Sequence, residues 1–186
     1  MSREKLLRKL NKYQPADAIE EKAVNDTIAF VESNPDCFSR NCPGGHITGS
    51  AWVENLDGTK FLLTNHKKLK LWLQLGGHPE VGENDITQIT LREAKEESGL
   101  RNLVCLNAGD IFDVSVFWFT IGPEKPHYHF DISLLLKAVD PQEKLNMSDE
   151  SIDLNWFSQL PEYKDPEGVY NIVRMFNKWQ RLHKRL

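Results

Sequence analysis

Three glutamates near the end of one amphipathic segment are the residues of this chain best suited to do chemistry. Glu93, Glu96 and Glu97 stand at positions i, i+3 and i+4, so a helix brings them to one face. Like charges at this spacing repel each other, and the segment ends at Gly99, where the helix dipole disfavours carboxylates. A divalent cation would relieve both penalties, and Mg²⁺ prefers oxygen ligands of this kind. The same pattern is also compatible with an exposed acidic helix end that nearby cations partly neutralise.

A glycine-rich segment precedes this helix. Gly76 and Gly77 follow the apolar run Leu71–Leu75 and let the backbone turn sharply and approach a ligand closely. Gly82 and Glu83 add a second flexible point and another carboxylate. Glycines just before a carboxylate-bearing helix favour a functional site over a solvated helix end.

The segment from Gly77 to Leu100 resembles the Nudix box of the Nudix hydrolase family. That box reads G-x5-E-x7-R-E-U-x-E-E-x-G-U, in which U is a bulky apolar residue. Gly77 and Glu83 match its opening, and REAKEESGL, residues 92–100, matches the remainder, with a small alanine at the first apolar position. Eight residues separate Glu83 from Arg92 where the pattern has seven, so the resemblance assigns no role to Glu83.

The resemblance extends over residues 45–157 and implies the fold of the family, an α/β/α sandwich around a mixed sheet. It implies a hydrolase that cleaves a diphosphate (pyrophosphate) bond in a nucleoside diphosphate linked to another moiety. The implied cofactor is Mg²⁺, with Mn²⁺ as a substitute. Carried over residue by residue, the implied metal ligands are Glu93, Glu96 and Glu97.

The resemblance also implies roles for individual catalytic and substrate-binding residues. Arg92 would orient a box glutamate through a charge-assisted bond. The general base in this family is a box glutamate or a later loop carboxylate, so the candidates are Glu96 and Glu150, the latter in the sequence SDES. The residues expected to bind substrate are Gly77, His78 and His129.

Two alternative interpretations stay open at this point. The chain could be a non-catalytic Nudix-fold module that binds or senses a nucleotide, although the complete set of box glutamates favours catalysis. A catalytic Cys42 beside metal-binding glutamates would resemble the isopentenyl-diphosphate isomerases, but the residues around Cys42 do not match. Residues 113–119 contain neither the proline of some ADP-ribose-cleaving members nor the tyrosine of some dinucleoside-polyphosphate-cleaving members, so the substrate stays open.

A second polar pattern lies in the sequence HYHFDI, residues 127–132. Strand periodicity places His127, His129 and Asp131 on one face and the apolar residues on the other. This face is either the wall of a substrate pocket or an ordinary solvated strand face. A zinc site formed by these three residues is not favoured, because no cysteine is near and the glutamates offer a better oxygen site. Trp72, Phe117 and Trp118 could stack on a base, but core packing is favoured because they lie in apolar strand patterns.

The elements that must position these residues follow from local patterns. Helices are predicted within residues 1–34, with Asp17 as an N-cap, at 85–98 between Asp85 and Gly99, and at 170–182. Strands are predicted at 50–53, 61–64, 71–75, 103–106, 111–120, 128–138 and 154–157. Strands on both sides of a central helix predict an α/β sandwich with a mixed sheet. We expect residues 1–40 to form an N-terminal helical extension packed on the core, and residues 41–186 to form the Nudix hydrolase domain.

Composition limits the remaining classes of function. The 186 residues carry a net charge of -4, which argues against general nucleic-acid binding. No apolar run is long enough to span a membrane, and the N-terminus does not read as a secretory signal. Three cysteines without a CxxC pair predict buried or half-buried reduced thiols rather than disulfides or a zinc finger. We therefore expect a cytoplasmic protein whose partner is a small diphosphate compound, and the resemblance makes a homodimer the oligomeric state to test.

Overall fold

The computed structural model describes residues 2–120, 125–165 and 169–184, apart from the side chain of residue 2. Four α-helices and eight β-strands occupy these ranges. The helices are α1 (Ser2–Leu10), α2 (Ala18–Ser33), α3 (Ile86–Ser98) and α4 (Tyr170–His183). The strands are β1 (Gly45–Glu54), β2 (Phe61–His66), β3 (Trp72–Leu73), β4 (Leu75–Gly77), β5 (Leu103–Cys105), β6 (Ile111–Phe119), β7 (His127–Ala138) and β8 (Ser151–Phe157).

One mixed sheet contains all eight strands. Its main path runs in the order β3-β2-β1-β7-β5, with β4 paired to β1, β6 to β7 and β8 to β2. The β1–β7 pair is parallel and runs from Gly45 opposite Tyr128 to Glu54 opposite Lys137. Every other pair is antiparallel. β1 and β2 form a hairpin at Asp57-Gly58, a dipeptide that predicts a hairpin turn from the sequence alone, and Gly58 has a φ of 68°.

Two apolar cores cover the two faces of this sheet. Alternate residues of β1 belong to different cores. Ile47, Ala51 and Val53 pack in the core beneath α1, α2 and α3, whereas Trp52 packs in the core beneath α4. Since side chains alternate along a strand, these cores lie on opposite faces. The architecture is therefore the predicted α/β/α sandwich around a mixed sheet, and the predicted N-terminal helices are present.

A buried ionic network ties the N-terminal helices to the rest of the molecule. Asp113, only 1% exposed on β6, accepts hydrogen bonds from Arg174 (2.6 Å) and Lys178 (2.8 Å) of α4. Lys178 also pairs with Glu20 of α2, which is fully buried. Tyr13 donates to Glu20 at 2.6 Å, so the segment between α1 and α2 joins the same network.

The structure differs from the predicted elements in three places. β1 begins at Gly45, five residues before the predicted start, and all ten of its residues are buried in the centre of the sheet. The apolar run 71–75 is divided between the short strands β3 and β4, which pair with different neighbours. Phe117 and Trp118, for which core packing was favoured, lie among the last three residues of β6 and are exposed, Trp118 by 54%.

The cysteines and helices agree with the expectations from composition. Cys37 and Cys42 are buried, Cys105 is half-buried, and all three are free thiols. Among the described residues, no helix has the length and apolar character needed to cross a membrane.

Candidate active site at the N-terminal loop of α3

The glycine segment and α3 bring two carboxylates against the end of β4. Asp85 caps α3 by accepting from the Thr87 N–H (3.0 Å), and Gly99 ends it at a left-handed φ of 73°, as predicted. The Gly76 N–H donates to Glu97 Oε2 at 2.9 Å. A Cβ atom at Gly77 would lie 2.6 Å from the Glu93 carboxylate, so only glycine lets Glu93 approach this strand.

Arg92 organises the open side of this carboxylate group. Its Nη2 donates to Glu83 Oε2 at 2.7 Å and to the His78 carbonyl at 2.8 Å. Its Nη1 donates to Glu93 Oε1 and to Glu96 Oε2, each at 3.0 Å. Glu83, to which the sequence assigned no role, is therefore held by Arg92 despite the additional residue between them. The hydrogen bonds from Arg92 lower the pKa of Glu83.

Burial and mutual repulsion disfavour the charged form of the inner carboxylates. Burial raises the pKa of Glu97 to about 8, and the negative charges of Glu93 and Glu150 act in the same direction. Burial also raises the pKa of Glu93, although the Arg92 guanidinium partly offsets it. The Glu96 side chain, by comparison, is 55% exposed. The buried carboxylates therefore have too little positive charge beside them to balance their negative charge.

A cavity of about 750 Å³ opens over these carboxylates, large enough for a nucleotide-sized ligand. Its lining contains most of the residues predicted for the site: Gly77, His78, Arg92, Glu93, Glu96, Glu97 and Glu150. Arg40 and Ser148 also line it, and the sequence analysis gave neither of them a role. Arg40 precedes β1 and Ser148 precedes β8, so no local motif links them to the box.

The donor set suits a hard divalent cation. Glu93 and Glu97 each use one carboxylate oxygen for the contacts described above, which leaves the second oxygen of each as a ligand. Burial disfavours the charged form of Glu97 and raises its pKa, and a cation bound beside it would favour the charged form. Mg²⁺ keeps several waters and needs few carboxylates, so it does not require the three glutamates to converge on one point.

The described residues bring three ligand atoms within 4.8 Å of one another at a different place, formed by His46, His127 and His129. His129 is not among the described residues that line the carboxylate cavity, but its Nε2 lies 3.3 Å from His78 Nε2. Burial lowers the pKa of both His78 and His129 to about 3. Asp131 lies further along the same strand face, where it accepts from Thr48 (2.7 Å) and Ser50 (2.8 Å).

The family follows from the sequence between β1 and α4. The NUDIX domain model matches residues 46–173, more than half of the chain. The chain therefore belongs to the NUDIX family, and it is a Nudix-type hydrolase. No curated protein matches the chain.

Solved structures share the fold. An Ap4A hydrolase of C. elegans superposes with a TM-score of 0.55 at 17% identity, and the match covers 75% of this chain and 98% of that chain. The MutT protein from Methanosarcina mazei Go1 superposes with a TM-score of 0.51 at 20% identity and covers 75% of this chain and 96% of that chain. These likenesses confirm the fold implied by the Nudix box.

Proposed function

We propose that this Nudix-type hydrolase cleaves the diphosphate bond of a nucleoside diphosphate linked to another moiety, with Mg²⁺ as its cofactor and Mn²⁺ as a substitute. The observation that carries the proposal is the approach of Glu93 and Glu97 to the backbone of Gly76 and Gly77. Two acidic side chains buried against a strand end are costly unless a cation is bound there. The Ap4A hydrolase and the MutT protein that share the fold agree with a nucleotide substrate.

The proposed metal ligands are Glu93, Glu96 and Glu97. When bound, the ion polarises a phosphoryl oxygen and lowers the pKa of a water molecule. Glu97 is positioned by the Gly76 N–H, and Glu93 is confined by Gly77 and Arg92. The exposed Glu96 lies at the cavity side, so it is also a candidate for accepting the proton of the attacking water.

Arg92 is proposed to act as a positioning residue. It links three glutamates to the His78 carbonyl, so it fixes the loop after β4 against the first part of α3. Glu83 completes this arrangement by accepting from Arg92 and from the Glu80 N–H. Loss of Arg92 would therefore misplace both the loop and the proposed ligands.

Glu150 is the second candidate general base. It lies in the turn before β8 and lines the same cavity as the box glutamates. Its negative charge helps to raise the pKa of Glu93 and Glu97, so it is close enough for electrostatic interaction with both. The backbone of Glu150 is fixed, because its carbonyl accepts from the Lys67 N–H at 2.9 Å.

The proposed substrate contacts lie around the mouth of the cavity. Gly77 and His78 line it beside the glutamates, and Arg40 adds a cation that can neutralise a phosphate. We propose His129 as a more distant contact that acts through His78. A diphosphate between Arg40 and a metal-loaded carboxylate group would have positive charge on both sides.

A screen of diphosphate compounds with Mg²⁺ and with Mn²⁺, scored by the identity of the products, tests the activity. With any substrate that is cleaved, Glu97→Gln should lower turnover at saturating Mg²⁺ by at least about 100-fold, because it removes a charged ligand. Glu21→Gln, the same change at an exposed position on α2, is the matched control. Undiminished turnover by Glu97→Gln would reject the proposed metal role.

Three expectations about the whole protein accompany this proposal. We propose that residues 1–40 form an extension and residues 41–186 the hydrolase domain. We propose a cytoplasmic location, with which the three free cysteines agree. We propose a homodimer, and sedimentation equilibrium measures that state directly.

A further inference from the structure

Three imidazoles meet on the sheet face that points away from α3. His46 lies on β1 and pairs in parallel register with His129 on β7. His127 is two residues before His129, so it points to the same face. One ring nitrogen from each of the three lies within 4.8 Å of the other two.

The contacts of this group bring the ring nitrogens close together and fix the tautomer of His127. His127 Nδ1 lies 2.7 Å from the Lys125 carbonyl. A carbonyl oxygen only accepts, so the proton of neutral His127 is on Nδ1 and its Nε2 carries a lone pair. That Nε2 lies 2.9 Å from His129 Nε2, which in turn lies 3.3 Å from His78 Nε2. A single N–H on His129 can serve only one of these two neighbours.

The surroundings hold the rings in place. His46 is fully buried and His129 is 9% exposed. The Phe119 ring stacks on His129 with a centroid distance of 4.7 Å and an interplanar angle of 13°. A histidine whose second nitrogen is bound to a backbone carbonyl is the usual arrangement of a metal ligand, because that bond fixes the tautomer. His127 has this arrangement before any metal is considered.

Neutral nitrogen donors select a different ion from the carboxylates. In a tetrahedral zinc site, bond lengths of about 2.0–2.1 Å place ligand nitrogens roughly 3.3 Å apart. Within the three-histidine group, the His127–His129 Nε2 separation of 2.9 Å is close to that value, and the ligand atoms of all three residues lie within 4.8 Å of one another. Mg²⁺ is a hard ion that prefers oxygen, whereas imidazole suits zinc and its neighbours in the first transition row.

We propose that His46, His127 and His129 form a second metal site, for zinc, distinct from the carboxylate site on α3. Three protein ligands leave a fourth position for water or an anionic oxygen. His78 Nε2 lies 3.3 Å from His129 Nε2, and His78 also lines the carboxylate cavity, so it connects the two sites. The sequence analysis did not favour a zinc site from His127, His129 and Asp131, because no cysteine is near and the glutamates offer a better oxygen site, whereas the structure brings His46 to the two histidines. This inference does not depend on the proposed hydrolysis.

Binding of Co²⁺ and Zn²⁺ to chelator-treated full-length protein tests the site without any substrate. Co²⁺ in a four-coordinate nitrogen site gives an intense visible absorption band. Zn²⁺ displaces the bound Co²⁺, so the band disappears. Excess Mg²⁺ is present throughout, because it occupies the carboxylates and leaves imidazoles free. The variant is His127→Ala, chosen because this ring is only half-buried, and circular dichroism verifies that it folds. Control variants are His183→Ala, which removes a histidine that instead contacts Glu54, and Glu97→Gln.

The expected result is one equivalent of Co²⁺ bound in the presence of Mg²⁺, with affinity at least about 100-fold weaker in His127→Ala, since loss of a direct ligand exceeds the effect of an outer-shell change. The band should persist in both controls, and anomalous diffraction at the zinc edge should place the ion among the three rings. The proposal is overturned if excess Mg²⁺ or Glu97→Gln abolishes the Co²⁺ band and His127→Ala leaves the band unchanged. That result would mean that only the carboxylates bind metal. Absence of any Co²⁺ or Zn²⁺ binding under excess Mg²⁺ would overturn it as well.

Discussion

Replacing Gly77 by alanine tests whether the position of Glu93 is set by the strand beside it. The new Cβ would lie 2.6 Å from the Glu93 carboxylate, whereas ordinary contact begins at 3.4 Å. The carboxylate must therefore move by about 0.8 Å, and a displacement near 1 Å at a reacting centre costs about 100-fold in rate. We expect kcat at saturating Mg²⁺ to fall by that factor, which corresponds to about 2.7 kcal/mol of activation free energy.

The change should leave the fold nearly intact. Gly77 is not among the glycines with a positive φ, and the group it would displace is the end of a flexible side chain. The matched control is Gly44→Ala, because Gly44 has a left-handed φ of 86° and open space around its Cβ position. That control should lower thermal stability by about 1–2 kcal/mol and leave kcat unchanged. The reasoning fails if Gly77→Ala stays within threefold of the parent, or if both alanine variants lose activity equally.

Four further predictions concern charge. Because the pKa of Glu97 is about 8, this carboxyl group is mostly protonated at pH 7 when no metal is bound. Mg²⁺ binding should therefore release nearly one proton, and the affinity for Mg²⁺ should rise about tenfold per pH unit from pH 6 to 7.5. Calorimetry in two buffers of different ionisation enthalpy measures this release, and its absence would contradict so high a pKa. The same raised pKa means that metal-free protein loses stability as the pH rises from about 4.5 towards 8, since the folded state then binds more protons than the unfolded state. Asp113→Asn should lower the free energy of unfolding by about 3–5 kcal/mol in urea titrations, because the buried Arg174 and the half-buried Lys178 each lose a carboxylate partner. Asp26→Asn, which breaks only the exposed pair with Lys22, should cost no more than about 0.5 kcal/mol, and similar losses for both would show that burial does not matter. Arg40→Met should raise KM about tenfold with little change in kcat if Arg40 binds phosphate in both the ground and transition states, and an equal fall in kcat would argue against that role.

Elements with strong local signals were predictable from the sequence. Asp85 and Gly99 bracket α3, and the structure uses one as the N-cap and the other as the left-handed residue after the helix. The Asp57-Gly58 turn likewise predicted the hairpin between β1 and β2. In these places the residues that decide the structure are neighbours in the chain, so short-range hydrogen bonding and backbone freedom are sufficient.

Elements that depend on distant partners were not predictable in the same way. Residues 45–49 contain two glycines and a histidine and lie before the predicted strand start at residue 50, yet they form the first half of β1. Pairing with β7, more than eighty residues later, supplies their hydrogen bonds. Propensity is a weak guide in the centre of a sheet, because burial and pairing outweigh it.

The candidate site likewise contains residues that local spacing could group and residues that only the folded structure brings together. Arg92 and the three box glutamates lie within six residues on one helix, so their spacing was sufficient to group them. Arg40 reaches the cavity from the loop before β1, and no local pattern indicates that. The meeting of His46 with His129 requires the parallel register of two strands, which the sequence of neither strand contains.

The charged network around Asp113 limits how far this chain can be truncated without destabilising the fold. The family match spans residues 46–173, so a fragment cut at those limits would omit Glu20, Arg174 and Lys178. Asp113 would then remain in the interior as an anion without its counter-ions, and Tyr13 would be lost from the same network. The segment that matches the family, residues 46–173, is therefore shorter than the segment needed for a stable fold. A minimal enzyme must retain α2 and all of α4.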